Sequence, residues 1–244
     1  MKVLGIIPAR YGATRFPGKS LAPILNKPMI LWVLEGVSES KRLDDIIVAT
    51  DSDLILKTVT DAGFKAQLTR EDHPSGTDRI WEVAQSHDCT HVVNIQGDEP
   101  LIRGAVIDQL IAVLDKNPDT KMATMATPLK PENADDPNRV KVVIDDHNRA
   151  LYFSRSRIPY IVSDATENPY LLHIGIYLYE RSFMERFIKH GPSTLEKLER
   201  LEQLRALAMG ESIEVVRTTA KLMGVDSPDD IPLVEKYLKG PMPA

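Results

Sequence analysis

The chain has 244 residues, 43% hydrophobic and 27% charged, with a net charge of −5. That composition fits a globular protein able to bury a large core unaided, and the acidic balance argues against nucleic acid, whose phosphates demand a basic surface. Cys89 is the only cysteine, so no internal disulfide can form; no N-terminal run reads as a leader, and no apolar run nears the ~18–20 residues that span a bilayer. A cytoplasmic protein with no membrane partner is therefore expected.

In chain order, the β-branched run Val3–Ile7 predicts a first strand, and Pro28–Ser40 a helix with proline at its first position. A strand over Ile46–Thr50 leads into a helix over Leu54–Ala62, capped by Ser52 or Asp53. Helix Thr77–Ser86, strand Val92–Gln96, helix Ala105–Lys116 and strand Met122–Thr127 continue the alternation. This order predicts an α/β fold, a mostly parallel sheet flanked by helices, with ligands at the carboxyl ends of the strands. After Pro128 the rhythm changes. Val140–Ile144, Ala150–Ser154 and His173–Tyr179 lie close together, with a turn at 145–148, and predict a β-rich antiparallel elaboration over roughly 128–190 within a single domain. Ser193 or Thr194 is expected to cap a helix whose leucines at 195, 198, 201, 204 and 207 pack one face on the core. Strand Ile213–Arg217 and helix Asp229–Leu238 close the chain.

Charge is unevenly spread. Residues 1–34 contain no Asp or Glu but carry Lys2, Arg10, Arg15, Lys19 and Lys27, as if the segment were reserved for an anion. The first strand runs into Arg10-Tyr11-Gly12-Ala13-Thr14-Arg15-Phe16-Pro17-Gly18-Lys19, a basic loop with glycines that let backbone approach a ligand. It is not a P-loop: five residues, not four, separate Gly12 from Gly18, and Pro23 and Pro28 oppose a helix starting at Lys19. It is not a dinucleotide fingerprint either, because no glycine stands two positions after Gly12. A second feature is Gly97-Asp98-Glu99-Pro100 at the end of strand Val92–Gln96, where an α/β fold places its chemistry.

The run IPARYGATRFPGK resembles the signature of sugar-activating nucleotidyltransferases, and more closely that of the 3-deoxy-manno-octulosonate (Kdo) cytidylyltransferase family. The resemblance extends from Ile6 to the terminal helix. It implies a Rossmann-like nucleotidyltransferase fold, CTP and Kdo as substrates, Mg²⁺ as cofactor and a homodimer. It implies that Arg10, Arg15 and Lys19 contact the triphosphate and that Pro8 and Ala9 line the cytosine. NIQGDEP resembles the family's metal segment, which makes Asp98 one metal ligand, and Asp226 in Gly-Val-Asp-Ser-Pro the other. Read alone, Asp226 is a helix cap, and Asp51 is a rival ligand or a cap. Arg70 and Ser75, in the segment from Arg70 to Arg79, are implied to read the base. Gln96 is implied to touch both substrates, and Arg155, His173, Tyr177, Glu202 and Gln203 the sugar. By themselves, His173 reads as a core histidine and Glu202 and Gln203 as a solvated helix face. Lys19, Arg10, Asp98 and Asp226 are thus the expected catalytic set. A different acceptor, such as sialic acid, an amino-Kdo or a sugar phosphate, and a nucleotide-binding regulatory domain remain the rivals.

Overall fold

Strand and helix alternate through the first 111 residues of the computed structural model, which describes residues 1–12, 16–162 and 168–240. The elements are β1 (Val3–Ala9), β2 (Pro23–Ile24), β3 (Lys27–Pro28), α1 (Met29–Ser38), β4 (Asp45–Thr50), α2 (Asp53–Asp61), β5 (Lys65–Leu68), α3 (Gly76–Gln85), β6 (His91–Asn94) and α4 (Gly104–Ile111). The chain forms two compact units; the first comprises Met1–Asp108 and the chain from Lys221 onward. Its sheet is parallel, in the order β6-β1-β4-β5. β1 is central, and Val3, Leu4, Ile6, Ile7 and Ala9 are all buried, the near-continuous apolar run expected of a parallel strand covered on both faces. Pro28 lies just outside α1 as its N-cap rather than at the first helical position, and the Met29 N–H donates to the Ala22 carbonyl at 2.9 Å.

The second unit, Gln109–Ala220, holds α5 (Val113–Lys116), β7 (Met122–Pro128), β8 (Lys141–Ile144), β9 (Ala150–Ser154), β10 (Leu171–Glu180), α6 (Arg181–His190), α7 (Thr194–Glu199), α8 (Leu204–Ala208) and β11 (Glu214–Arg217). β7 pairs antiparallel with β10 and parallel with β11, and β8 pairs antiparallel with both β9 and β10. The expected antiparallel pairing after Pro128 is present. Helix α9 (Ile231–Lys239) returns to the first unit. No helix among the described residues is long and apolar enough to cross a membrane.

Several element expectations are corrected. The helix over Ala105–Lys116 is two helices, α4 and α5, with Ala112 between them. The leucine helix also breaks, at Arg200 with φ 54°, into α7 and α8. Its leucines recur every three residues, and a helix turns about 300° in three residues, so the stripe drifts about 60° per step and winds off one face. Leu195 and Leu198 are 40% and 75% exposed, whereas Leu201 and Leu204 are buried. The capping box of Ser193 and Glu196 starts α7, but the Glu196 carboxylate also takes two hydrogen bonds from buried Arg205 at 2.9 and 2.6 Å, which folds the chain back. Helix α6 went unpredicted because its Phe183, Met184 and Phe187 sit among charged residues.

Candidate active site

The basic loop is tied at both ends. Tyr11 N–H donates to Asp51 Oδ1 at 3.0 Å, and Gly18 N–H donates to the Tyr11 carbonyl at 2.9 Å. Gly18 takes φ 71°, a left-handed conformation that suits glycine, and one 3₁₀ turn, Lys19–Leu21, follows before Ala22-Pro23 ends it. That single turn is all the helix that starts at Lys19. Arg15 lies outside the described residues.

Lys19 is the hub. Its Nζ donates to Asp98 Oδ2 at 2.5 Å and to the Val225 carbonyl at 2.8 Å, joining segments 79 and 206 residues away. Val225 N–H in turn donates to the Asp98 carbonyl at 2.9 Å. Glycine suits position 97, because a Cβ would sit 3.0 Å from the Pro8 carbonyl at the end of β1, a tighter contact than most Cβ atoms make. The capping alternative for Asp226 fails: Asp230 is the capping carboxylate, accepting from the N–H groups of Asp226 and Ser227 at 2.9 and 2.8 Å. Asp51 is not the cap of α2, and it lies outside the lining of the cleft described below. It takes a salt bridge from Arg79 at 2.8 Å, and Ser52 caps α2.

These elements enclose a cleft of about 390 Å³ lined by Pro8, Ala9, Arg10, Lys19, Ser75, Gln96, Asp98 and Asp226, all expected from the sequence. Arg70 is not in the lining; its side chain is 68% exposed and lies 3.6 Å from Glu82 and 3.8 Å from Asp72. The same segment contributes His73 and Arg79 instead. Arg79 is buried and donates to Asp51, Thr69 and the Arg70 carbonyl, so it binds the ends of β4 and β5 beneath the cleft. Its signal was its place four residues after Ser75, on the same α3 face as buried Val83. Ser75 accepts from Asp78 N–H at 3.2 Å as the α3 cap.

The carboxylates concentrate negative potential. Burial, and then the charges of Asp98 and Asp226, push the Glu99 carboxyl up to about 8, with Lys19 opposing. Two hard oxygen donors facing a phosphate-sized cleft suit Mg²⁺, which takes one or two carboxylates and completes its shell with phosphate oxygens and water. Among the described residues no cluster of three or more His, Cys, Asp or Glu side chains is arranged to hold a metal; Asp98 and Asp226 are carboxylates that line the cleft.

The residues expected to meet the sugar, apart from Gln96, belong to the second unit. β10 changes register between Ile174 and Tyr177, and the Thr124 hydroxyl fills the bulge, 3.1 Å from the Ile174 carbonyl and 2.9 Å from that of Ile176. With its single proton on a carbonyl, the Thr124 hydroxyl can accept from His173 Nε2, 3.0 Å away, a tautomer that leaves Nδ1 as an acceptor. The His173 and Tyr177 rings lie 5.5 Å apart, and Tyr177 donates to Gln203 Oε1 at 3.2 Å. Gln203 is buried, and its Nε2 has no hydrogen-bond partner. Glu202 and Gln203 lie in the turn between α7 and α8, not on a helix, and Glu202 is 3.5 Å from Arg205. Arg155 donates to the carbonyls of Glu199, Pro137 and Arg200, leaving two of its five N–H groups.

Burial holds His173 down to about 3 from its ordinary 6.5, so the folded protein keeps it neutral where the unfolded chain protonates it. The unfolded state then binds more protons, and stability is lost as pH falls from about 6.5 toward 3. Urea denaturation at pH 7 and pH 5 checks this: His173→Gln is expected to flatten the pH dependence, and an unchanged slope would refute it.

Cleft, basic loop and two cleft-lining aspartates are the equipment of a nucleotidyltransferase, and a family model described as cytidylyltransferase matches residues 4–213. The chain is 45% identical over 242 residues, 98% of each chain, to a 3-deoxy-manno-octulosonate cytidylyltransferase of Bdellovibrio bacteriovorus. It is 46% identical, over 98% of this chain and 99% of the other, to an 8-amino-3,8-dideoxy-manno-octulosonate cytidylyltransferase of Shewanella pealeana. A solved structure of CMP:2-keto-3-deoxy-manno-octonic acid synthetase complexed with CTP superposes with a TM-score of 0.94 at 38% identity, covering 98% of each chain. The chain belongs to the 3-deoxy-manno-octulosonate cytidylyltransferase family.

Proposed function

We propose that this enzyme transfers CMP from CTP to the anomeric hydroxyl of 3-deoxy-D-manno-octulosonate, releasing pyrophosphate. The observation that carries the reading is Lys19 seated between Asp98 and the Val225 carbonyl in a cleft that Asp226, Arg10 and Ser75 also line. The cleft takes the nucleotide: Pro8 and Ala9 lie along the base, with Ser75, Gln96 and the more distant Arg70 assigned to its polar edge. Arg10 and Arg15 meet the triphosphate. Lys19 uses two of its three N–H groups on the protein, which leaves the third for a phosphate oxygen. Asp98 and Asp226 would hold Mg²⁺, which when bound supplies charge withdrawal at the α-phosphate. The rest is positioning and charge stabilisation for in-line displacement.

The acceptor is assigned to the cluster in the second unit. The two remaining N–H groups of Arg155 suit the sugar carboxylate, His173 Nδ1 accepts from a hydroxyl, and the Gln203 amide donates, with Tyr177 and Glu202 beside them. The equally similar Shewanella relative supports one second reading, an acceptor bearing an amino group at C8, which Glu202 and neutral His173 could receive. We assign the activity to the cytoplasm, to lipopolysaccharide synthesis and to a homodimer, as the family resemblance implies; light scattering tests the dimer.

Pyrophosphate release with Mg²⁺ and a panel of acceptors and nucleotides decides the reaction. Kdo with CTP is expected to give the highest kcat/KM, with ATP, GTP and UTP far below. A higher value for the 8-amino sugar replaces Kdo as the acceptor, and no release with any acidic sugar overturns the proposal.

A further inference from the structure

Strand β8 runs between β9 and β10, and its first residue, Lys141, stands opposite Ser154 of β9 and Leu172 of β10. Each of those two precedes a residue assigned to the acceptor, Arg155 and His173. The backbone just before Lys141 holds the second: His173 N–H donates to the Val140 carbonyl at 2.8 Å. Lys141 itself holds the first. It is completely buried, and its Nζ donates to the Arg155 carbonyl at 2.6 Å and to the Asp136 carbonyl at 2.9 Å.

The Asp136 contact reaches Arg155 by a second route. Residues 134–140 lie outside any helix or strand, so tertiary contacts rather than a ladder fix their course. Pro137, next to Asp136, supplies one of the three carbonyls that receive the Arg155 guanidinium, at 3.0 Å from Nη1. One ammonium therefore sets both the root of the Arg155 side chain and part of the frame around its head. Glu199 completes that frame, taking the Arg155 N–H on Oε2 at 3.0 Å and Nε–H on its carbonyl at 2.8 Å.

An ammonium withdrawn from water gives up hydration that only its hydrogen bonds replace, and an apolar side chain would fill the start of β8 without that cost. An apolar side chain cannot gather two carbonyls. The benefit falls on Arg155. A guanidinium meets a carboxylate at full strength only when its planar fork is already aimed, because a long side chain otherwise loses its freedom on binding.

We propose that Lys141 is a positioning residue for the acceptor: its ammonium fixes the Arg155 backbone and, through Asp136, the Pro137 carbonyl that steadies the guanidinium. The role rests on the reading of Arg155 as the residue that meets the sugar carboxylate. Lys141 touches no substrate in this scheme and acts through Arg155.

The test measures KM for Kdo, KM for CTP and kcat in pyrophosphate release, and repeats the first with the methyl ester of Kdo, whose carboxylate charge is gone. Lys141→Met keeps an unbranched chain of similar length and removes both hydrogen bonds. It is expected to raise KM for Kdo about tenfold or more, the worth of one hydrogen bond to a charged group, with KM for CTP within about twofold of wild type. The preference for the free acid over the ester should narrow by a similar factor. Lys141→Met added to Arg155→Ala should raise KM for Kdo no further, because both changes act on one contact. Circular dichroism and thermal midpoints establish that each variant folds. Lys141→Gln, which keeps a polar donor, carries the test if Lys141→Met does not fold, with an expected rise of about threefold or more. A wild-type KM for Kdo in the folded variant, equal rises in KM for Kdo and CTP, or a double variant clearly worse than Arg155→Ala overturns the positioning role alone. Arg155→Ala with a wild-type KM for Kdo and an unchanged preference for the free acid removes the carboxylate assignment, and the positioning role with it.

Discussion

Asp98→Asn lowers kcat about 1,000-fold while leaving the fold in place. The substitution keeps the side chain's shape and removes its charge, and that charge has two uses. It is half of the proposed metal-holding pair, and charge stabilisation by a metal at a phosphoryl oxygen contributes several kcal/mol, about 4 of which correspond to a thousandfold in rate. It also anchors Lys19 through the 2.5 Å contact. The Asp98 side chain is 32% exposed, so its pairing with Lys19 contributes little to stability and the thermal midpoint should move by only a few degrees. Steady-state pyrophosphate release and circular dichroism on the same preparation check both halves. A kcat near wild type would remove Asp98 from the chemistry.

Lys19→Ala is the second large effect. Loss of one pre-positioned donor to a developing phosphate charge costs about 2.7–4 kcal/mol, by analogy with a lost oxyanion donor, which is about 100- to 1,000-fold in kcat/KM for CTP. Two further consequences separate Lys19 from a generic surface lysine. Asp98 and Asp226 lose the cation that moderates their field, since Lys19 is the group that lowers the Glu99 carboxyl against them. And Lys19→Arg should not restore activity, because a planar fork cannot replace a compact ammonium set between Asp98 Oδ2 and the Val225 carbonyl. An unchanged kcat/KM in Lys19→Ala rules the residue out.

The parts of this fold that were legible in the sequence are those whose signal is local. β1 and β4 announce themselves as unbroken apolar runs because parallel strands are covered on both faces, and Ser52 and Ser75 announce α2 and α3 because a cap must precede its helix. The failures are non-local. The break at Arg200 depends on Arg205 reaching back to Glu196, and α6 is hidden by the charged residues around Phe183 and Phe187. For the cleft, composition and glycines said only that the first loop favours an anion. No spacing rule could bring Lys19, Asp98 and Asp226 to one cleft from opposite ends of the chain; family resemblance named those three, and nothing in the sequence named the Val225 carbonyl. Resemblance also named Arg70, yet Arg79, hidden as an ordinary position on an amphipathic helix, is the arginine of that segment that lines the cleft.

The first unit is closed by the chain from Lys221 onward, and this orders events during synthesis on the ribosome. Lys19 and Asp98 emerge early, and domains tend to form as their residues become available. The early chain nonetheless lacks Asp226 and the Val225 carbonyl that steadies Lys19. A nascent chain short of these residues holds an incomplete cleft with its acidic groups uncompensated by the returning segment. The enzyme therefore acquires a working site in one step, once residues 225 and 226 have emerged, rather than by degrees.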